Sequence, residues 1–104
     1  MRRVESLIQQ EIAQIIEFEF KGSPYGLITV TYAKVSPDLS LAKIYIITHE
    51  AEKAREAVEF LNQEANSLRY LLGNKIKLRR TPKLHFYYDE EFERANRISE
   101  LLES

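Results

Sequence analysis

The chain has 104 residues, 44% of them hydrophobic and 30% charged, with no Cys and a formal net charge of −1. A chain of this length is expected to form one domain, residues 1–104, burying about 60–70% of the surface that its unfolded form exposes. The lack of Cys excludes disulfides, Cys-liganded zinc and a thiol nucleophile, and no apolar run approaches the roughly 20 residues that span a bilayer.

Val4, Leu7, Ile8, Ile12, Ile15 and Ile16 recur at three- and four-residue spacing and predict an amphipathic helix. Glu5, Gln9, Gln10 and Glu11 interrupt any apolar stretch of the signal-peptide kind, so a cytoplasmic protein is expected. Gly22, Pro24 and Gly26 punctuate a loop over Lys21–Gly26. Leu27–Val35 and Leu41–Thr48 are dense in β-branched and aromatic residues and read as strands. Between them, Ser36-Pro37-Asp38-Leu39-Ser40 predicts the turn of an antiparallel hairpin. Pro37 presets φ there, and Ser36 and Asp38 can bond nearby backbone. Tyr32 and Tyr45 could stack on bases if exposed, although a strand Tyr is more often a half-buried packing residue.

Glu50–Gly73 is helical by pattern, with an apolar stripe of Ala54, Ala57, Val58, Leu61, Ala65, Leu68, Leu71 and Leu72. Gly73 suits the position just past a helix end, and Asn66 or Ser67 could cap a second helix after a break. Lys75–Tyr88 reads as a strand in which Ile76, Leu78, Leu84, Phe86 and Tyr88 share the core parity. Lys77, Arg79, Lys83, His85 and Tyr87 take the outward parity. Arg80 falls on the core side, so a bulge or twist is expected at Arg80-Thr81-Pro82. Asp89–Ser104 predicts a last amphipathic helix with Phe92, Ala95, Ile98, Leu101 and Leu102 on one side. Helices with a small sheet make a two-layer α+β domain.

The near-zero net charge conceals segregation. Residues 1–64 carry seven basic and ten acidic residues, and residues 89–104 carry two and six. Residues 65–88 carry six basic residues, Arg69, Lys75, Lys77, Arg79, Arg80 and Lys83, and no acid. The helix dipole accounts for cations near a helix end, and edge protection accounts for a strand Lys. Neither accounts for 24 residues without an acid, and a phosphate backbone is the partner such a strip fits. Arg2 and Arg3 add a smaller cationic spot. Catalytic chemistry has weaker support: there is no glycine-rich phosphate loop, and His49 and His85 have no ligand spacing. Asp89, Glu90, Glu91 and Glu93 fit the positive end of a helix dipole as well as they fit a metal.

Two sets of residues carry a resemblance. The first is Arg3-Val4 with Glu11-Ile12, Leu27-Ile28-Thr29-Val30-Thr31, and above all Val35-Ser36-Pro37-Asp38-Leu39-Ser40-Leu41-Ala42-Lys43. The second is Leu71-Leu72-Gly73, Leu78-Arg79-Arg80-Thr81-Pro82-Lys83-Leu84-His85-Phe86, Tyr88-Asp89 and Arg97-Ile98. In register along nearly the whole chain, they resemble the ribosome-binding factor A family of bacterial small-subunit assembly factors. The resemblance implies a KH-like type II fold, α-β-β-α(kink)α-β, with helices on a three-stranded sheet and a C-terminal helix. Ordinary KH domains clamp nucleic acid with a GxxG loop, which this chain lacks. The family has an Ala-x-Gly kink instead, and the matching residues are Ala65-Asn66-Ser67, with Ser in place of Gly. Where the family commonly shows Asp-Pro-Arg, this chain has Ser23-Pro24-Tyr25.

The function that the resemblance implies is non-catalytic: binding of the immature 30S small ribosomal subunit and its 16S rRNA, and assistance to late maturation and rRNA processing. No cofactor, metal, membrane or small-molecule substrate is expected, and the chain is expected to act as a monomer. Arg69, Lys75, Lys77, Arg79, Arg80 and Lys83 are the expected phosphate contacts, with Ala65, Asn66 and Ser67 placing the helix that approaches RNA. Two other readings stay open at this point. One is a protein-interaction module docking through its sheet edge or its C-terminal helix, at Phe92 and Ile98. The other is a metal-dependent nuclease using Asp89, Glu90 and Glu93.

Overall fold

The computed structural model describes residues 2–95, with the side chain of Arg2 excepted. Helix α1 (Arg2–Glu19) is followed by strands β1 (Ile28–Val35) and β2 (Leu41–Thr48), then by a 3-10 turn, Ala51–Lys53. Helices α2 (Ala54–Gln63) and α3 (Ala65–Lys75) lead to strand β3 (Lys83–Tyr88). The sheet order is β1-β2-β3, with β1 and β2 antiparallel and β2 and β3 parallel. A parallel pair needs a long crossover, and α2 with α3 supplies it. This is the expected α+β order, with the helices on a three-stranded sheet.

Period-two burial divides the sheet. Ala42, Ile44 and Ile46 of β2 and Leu84 and Phe86 of β3 are buried beneath the helices. Val30, Ala33 and Val35 of β1, Ile8, Ile12, Ile15 and Ile16 of α1, Ala57 and Leu61 of α2, and Leu68 and Leu72 of α3 join them in the core. Truncating one of these leucines to Ala would cost about 2–5 kcal/mol. The opposite sheet face carries Lys43, Lys83, His85 and Tyr87 in the open.

Both sheet edges are covered by helix side chains, which restrains pairing with another chain. On β1, the Val35 N–H donates to Glu5 Oε2 at 2.8 Å, and Gln9 Nε2 donates to the Thr31 carbonyl at 3.1 Å. On β3, Asn62 closes a reciprocal pair with Phe86, Nδ2 to carbonyl at 3.0 Å and N–H to Oδ1 at 2.8 Å.

Three expectations need correction. The strand predicted from Lys75 begins at Lys83, because α3 continues through Lys75 and residues 76–82 form an irregular connection. Lys77 and Arg79 are therefore exposed on a loop rather than on a strand, and so is Arg80, whose core parity has no meaning there. Gly73 lies inside α3 instead of past its end. A Cβ at Gly73 would stand 3.1 Å from Thr81 Oγ1, so close approach of the connection accounts for the glycine. The break between the helices falls on Glu64, at φ −92° and ψ 6°, and no side chain caps either helix there. Asn66 and Ser67 lie exposed in the first turn of α3, after Ala65.

The loop before β1 turns at Gly22 (φ 79°) and Gly26 (φ 68°), a left-handed backbone that glycine adopts without a steric cost. Beyond β3, residues 90–95 are helical and Asp89 Oδ1 accepts the Phe92 N–H at 3.0 Å, an N-terminal cap. Ile98, Leu101 and Leu102 of the predicted tail stripe lie outside the described residues. Among the described residues, no helix is long and apolar enough to cross a membrane.

Candidate nucleic-acid interface

The basic strip begins on α3 and passes through the irregular connection to the first residue of β3. Lys75 lies exposed in the last turn of α3, where a cation also complements the helix dipole. Lys77, Arg79 and Arg80 follow, all exposed. Lys83 opens β3 with its side chain on the face away from the helices. The strip therefore wraps around the β3 edge of the domain, from the helical layer to the open sheet face.

Long-range contacts hold this loop in place. Ile76 and Pro82 are buried at its two ends. Arg69 Nε and Nη2 both donate to the Thr81 carbonyl, at 3.0 and 2.8 Å. Arg69 is half-buried, and its first duty is to pin the connection to α3. Asn66, Tyr70, Gly73 and Asn74 surround the same shallow hollow, at the wall of which Tyr70 is exposed. Such a concavity, walled by amide, guanidinium and phenol groups, offers hydrogen-bond donors and a ring edge together.

The hairpin turn stands beside the connection. The Lys83 N–H donates to the Ser40 carbonyl at 3.0 Å. Within the turn, Ser36 Oγ accepts the Ser40 and Leu41 N–H groups, and Asp38 Oδ1 accepts both hydroxyls and the Ser40 N–H. These bonds hold the Asp38 carboxyl down to about 2 from its ordinary 3.8, the Ser40 hydroxyl most strongly, then Ser36, then the Ser40 backbone. Slight desolvation opposes them, and the Arg80 guanidinium adds a small attraction. Arg80 is thus the member of the strip with an acidic neighbour, supplied by a turn some forty residues earlier in the chain. Leu39 sits at φ 61°, a conformation rare for leucine, with its side chain packed against the core.

His49 and His85 are exposed, and among the described residues no three His, Asp or Glu side chains form a metal-ligating group. Asp89 is engaged by Thr31 Oγ1 and by the Phe92 N–H.

The open face of the sheet holds a feature that the strip hid from view. Tyr32, Tyr45 and Tyr87 lie in register across all three strands. Their ring centroids are 5.9 Å and 5.5 Å apart, and His85 stacks on Tyr87 at 4.7 Å. The period-two pattern of β3 gave a signal for Tyr87 and His85. Tyr32 and Tyr45 read as stacking residues only if exposed, and for Tyr32 a β-bulge at Thr31 supplies the exposure by moving it from the core parity of Val30 to the open face.

Comparison with known proteins places the chain. The family described as ribosome-binding factor A matches residues 1–102. Ribosome-binding factor A of Chlorobaculum parvum is 48% identical over 106 residues, covering 98% of this chain and 87% of the relative. Its counterpart in Pseudomonas paraeruginosa is 41% identical over 105 residues, covering 98% and 82%. Among solved structures, the crystal structure of ribosome-binding factor A from Thermus thermophilus gives a TM-score of 0.75 at 23% identity, over 84% of this chain and 93% of that one. A Thermus thermophilus homology model fitted into a cryo-EM map of a 30S complex gives 0.69 at 24% identity, over 82% and 90%. At such identities the structures establish a shared fold, whereas the sequence matches reach further. On the strength of those matches along nearly its full length, the chain belongs to the ribosome-binding factor A family.

Proposed function

We propose that the protein binds the immature 30S ribosomal subunit through its 16S rRNA, as a monomer in the cytoplasm, and assists late maturation and rRNA processing without catalysing a reaction. Family membership carries this reading, since the relatives at 41% and 48% identity are themselves ribosome-binding factors. The Thermus relative of the same fold was fitted to a map of its complex with the 30S subunit, which supports the same partner. The acid-free strip supplies the chemistry: exposed cations on an otherwise acidic chain suit an RNA backbone.

In this reading Lys75, Lys77, Arg79, Arg80 and Lys83 contact phosphates, and Arg69 presents the loop that carries three of them while its free edge reaches a sixth. Ala65, Asn66 and Ser67 set the approach of α3. Phosphate contacts fix position rather than read sequence, so selectivity comes from the shape of the ribosomal site. The protein acts by binding one rRNA conformation better than another and shifting the population toward it.

Co-sedimentation with small subunits across a salt series tests this. Six phosphate contacts predict that log K falls with log salt at a slope of about −4 to −5. The triple variant Lys75→Glu, Lys77→Glu, Arg79→Glu should keep its circular dichroism and lose the subunit. Undiminished binding by that folded variant would remove the strip from the interface.

A further inference from the structure

The open face of the sheet has two neighbouring rows that fold stability does not ask for. One is the aromatic row Tyr32–Tyr45–Tyr87 with His85, whose outer rings keep 48% (Tyr32) and 36% (Tyr87) of their surface exposed. The other is Lys34–Lys43–His85, in direct cross-strand register, with Lys83 two residues before His85 on the same face. Like charges directly opposite each other on a sheet are destabilising. The open-face positions of the three strands hold no acid, and Asp89, Glu90 and Glu91 stand at one border, on the hollow that Tyr32, Lys34 and Tyr45 also line. Cations in cross-strand register beside a row of rings form a surface suited to an anionic partner with π faces.

We propose that this face is a second nucleic-acid contact, one that takes a single strand, with bases stacking on Tyr32, Tyr45 and Tyr87 and phosphates resting on Lys34, Lys43 and Lys83. The face also sets an orientation. Asp89, Glu90 and Glu91 border the hollow that Tyr32, Lys34 and Tyr45 line and repel phosphate there, so the backbone runs along the side where Lys43 and Lys83 stand. Aromatic side chains on a sheet stack successive bases without reading their sequence, because every base has a π face. A double helix offers its phosphates but keeps its base faces inside the stack, and so gains nothing from the tyrosines. Lys83 belongs to both surfaces, since the basic strip reaches the open face through it. A single-stranded rRNA segment would therefore leave the strip at Lys83 and cross the sheet. This extension takes the ribosomal reading as its setting, but its chemistry stands on the sheet face alone.

The test uses the full chain and a short single-stranded oligouridylate at low salt. The chain has no Trp, so its six Tyr report stacking directly as quenched fluorescence. Wild type should bind with quenching and should prefer the single strand to a duplex of equal length. The double variant Tyr32→Ala, Tyr87→Ala should bind the oligonucleotide about tenfold more weakly for each ring lost, and the Tyr→Phe double variant should bind like wild type. Both positions are exposed, and the Phe variant controls for folding. The Lys75→Glu, Lys77→Glu, Arg79→Glu variant should retain ring quenching, which separates this surface from the strip. Equal binding by the Ala and Phe variants, no preference for the single strand, or no binding by wild type each overturns the proposal. None of these results bears on whether the strip holds the 30S subunit.

Discussion

Two loops that touch each other are stabilised in opposite ways. The hairpin turn Ser36–Leu41 is held from within: a serine hydroxyl and one carboxylate satisfy the backbone and hydroxyl groups of residues at most five positions away. The connection 76–82 has no such internal network among the described bonds. It is held from outside, by Arg69 and Gly73 of the preceding helix against Thr81 and by burial of Ile76 and Pro82. The first loop is a local object, and its residues announce it. The second exists because a helix and a strand present a surface for it to lie on, which frees its own side chains to be cationic and exposed. A loop that carries binding groups gains from being shaped by its neighbours, since every side chain on it can then face a partner.

The contrast has measurable consequences. Arg69→Ala removes a charge-assisted pair of bonds to Thr81, and a loss of about 2–3 kcal/mol is expected in urea unfolding. Arg69→Lys should rescue little of it, because an ammonium cannot reproduce the fork. Gly73→Val should cost about 2 kcal/mol by pushing Thr81 away, and should weaken subunit binding with the cations still in place. If either variant unfolds at the wild-type midpoint, the connection is not held from outside.

Changes within the turn should be smaller and should stay local. Ser36→Ala leaves the Ser40 and Leu41 N–H groups without their hydroxyl acceptor, and about 1 kcal/mol is expected, with binding unchanged. The smallest effect is on pH dependence. The Asp38 carboxyl is at about 2 in the folded chain, below its ordinary 3.8, so its contribution is complete above about pH 4 and lost as pH falls toward 2. The stability difference between wild type and Asp38→Asn should shrink over that window in acid titrations followed by circular dichroism. A difference that stays constant from pH 5 to pH 2 would detach the turn from this carboxylate.

The elements that were readable in advance share a property. Leu41–Thr48 was bounded correctly and Leu27–Val35 to within one residue, because alternation and turn chemistry act over two to five residues. The first helix follows from its Ile spacing in the same way. The misread region, Lys75–Tyr88, alternates on both sides of Arg80-Thr81-Pro82, but alternation makes a strand only where a neighbour offers a ladder. β2 pairs with β3 from Leu41↔Lys83 to Ile46↔Tyr88, and residues 76–82 precede its reach. The edge guards Glu5, Gln9 and Asn62 were unreadable for a related reason: each bonds a backbone group at least 22 positions away.

The hairpin, the helical stripes, the family and the acid-free run of six cations are all legible in the residues, because they rest on short spacings, motifs or composition. Tertiary structure decided how those pieces face. It made a loop of the strip's middle, turned Arg69 inward to Thr81, set Arg80 beside Asp38, and ended α2 at Glu64 without a cap. It also brought Tyr32, Tyr45 and Tyr87 into one row, through a bulge at Thr31 and the pairing of three strands. Those outcomes depend on registers between segments far apart in the chain, and a register is fixed by the core that the segments bury together rather than by the residues within any one of them.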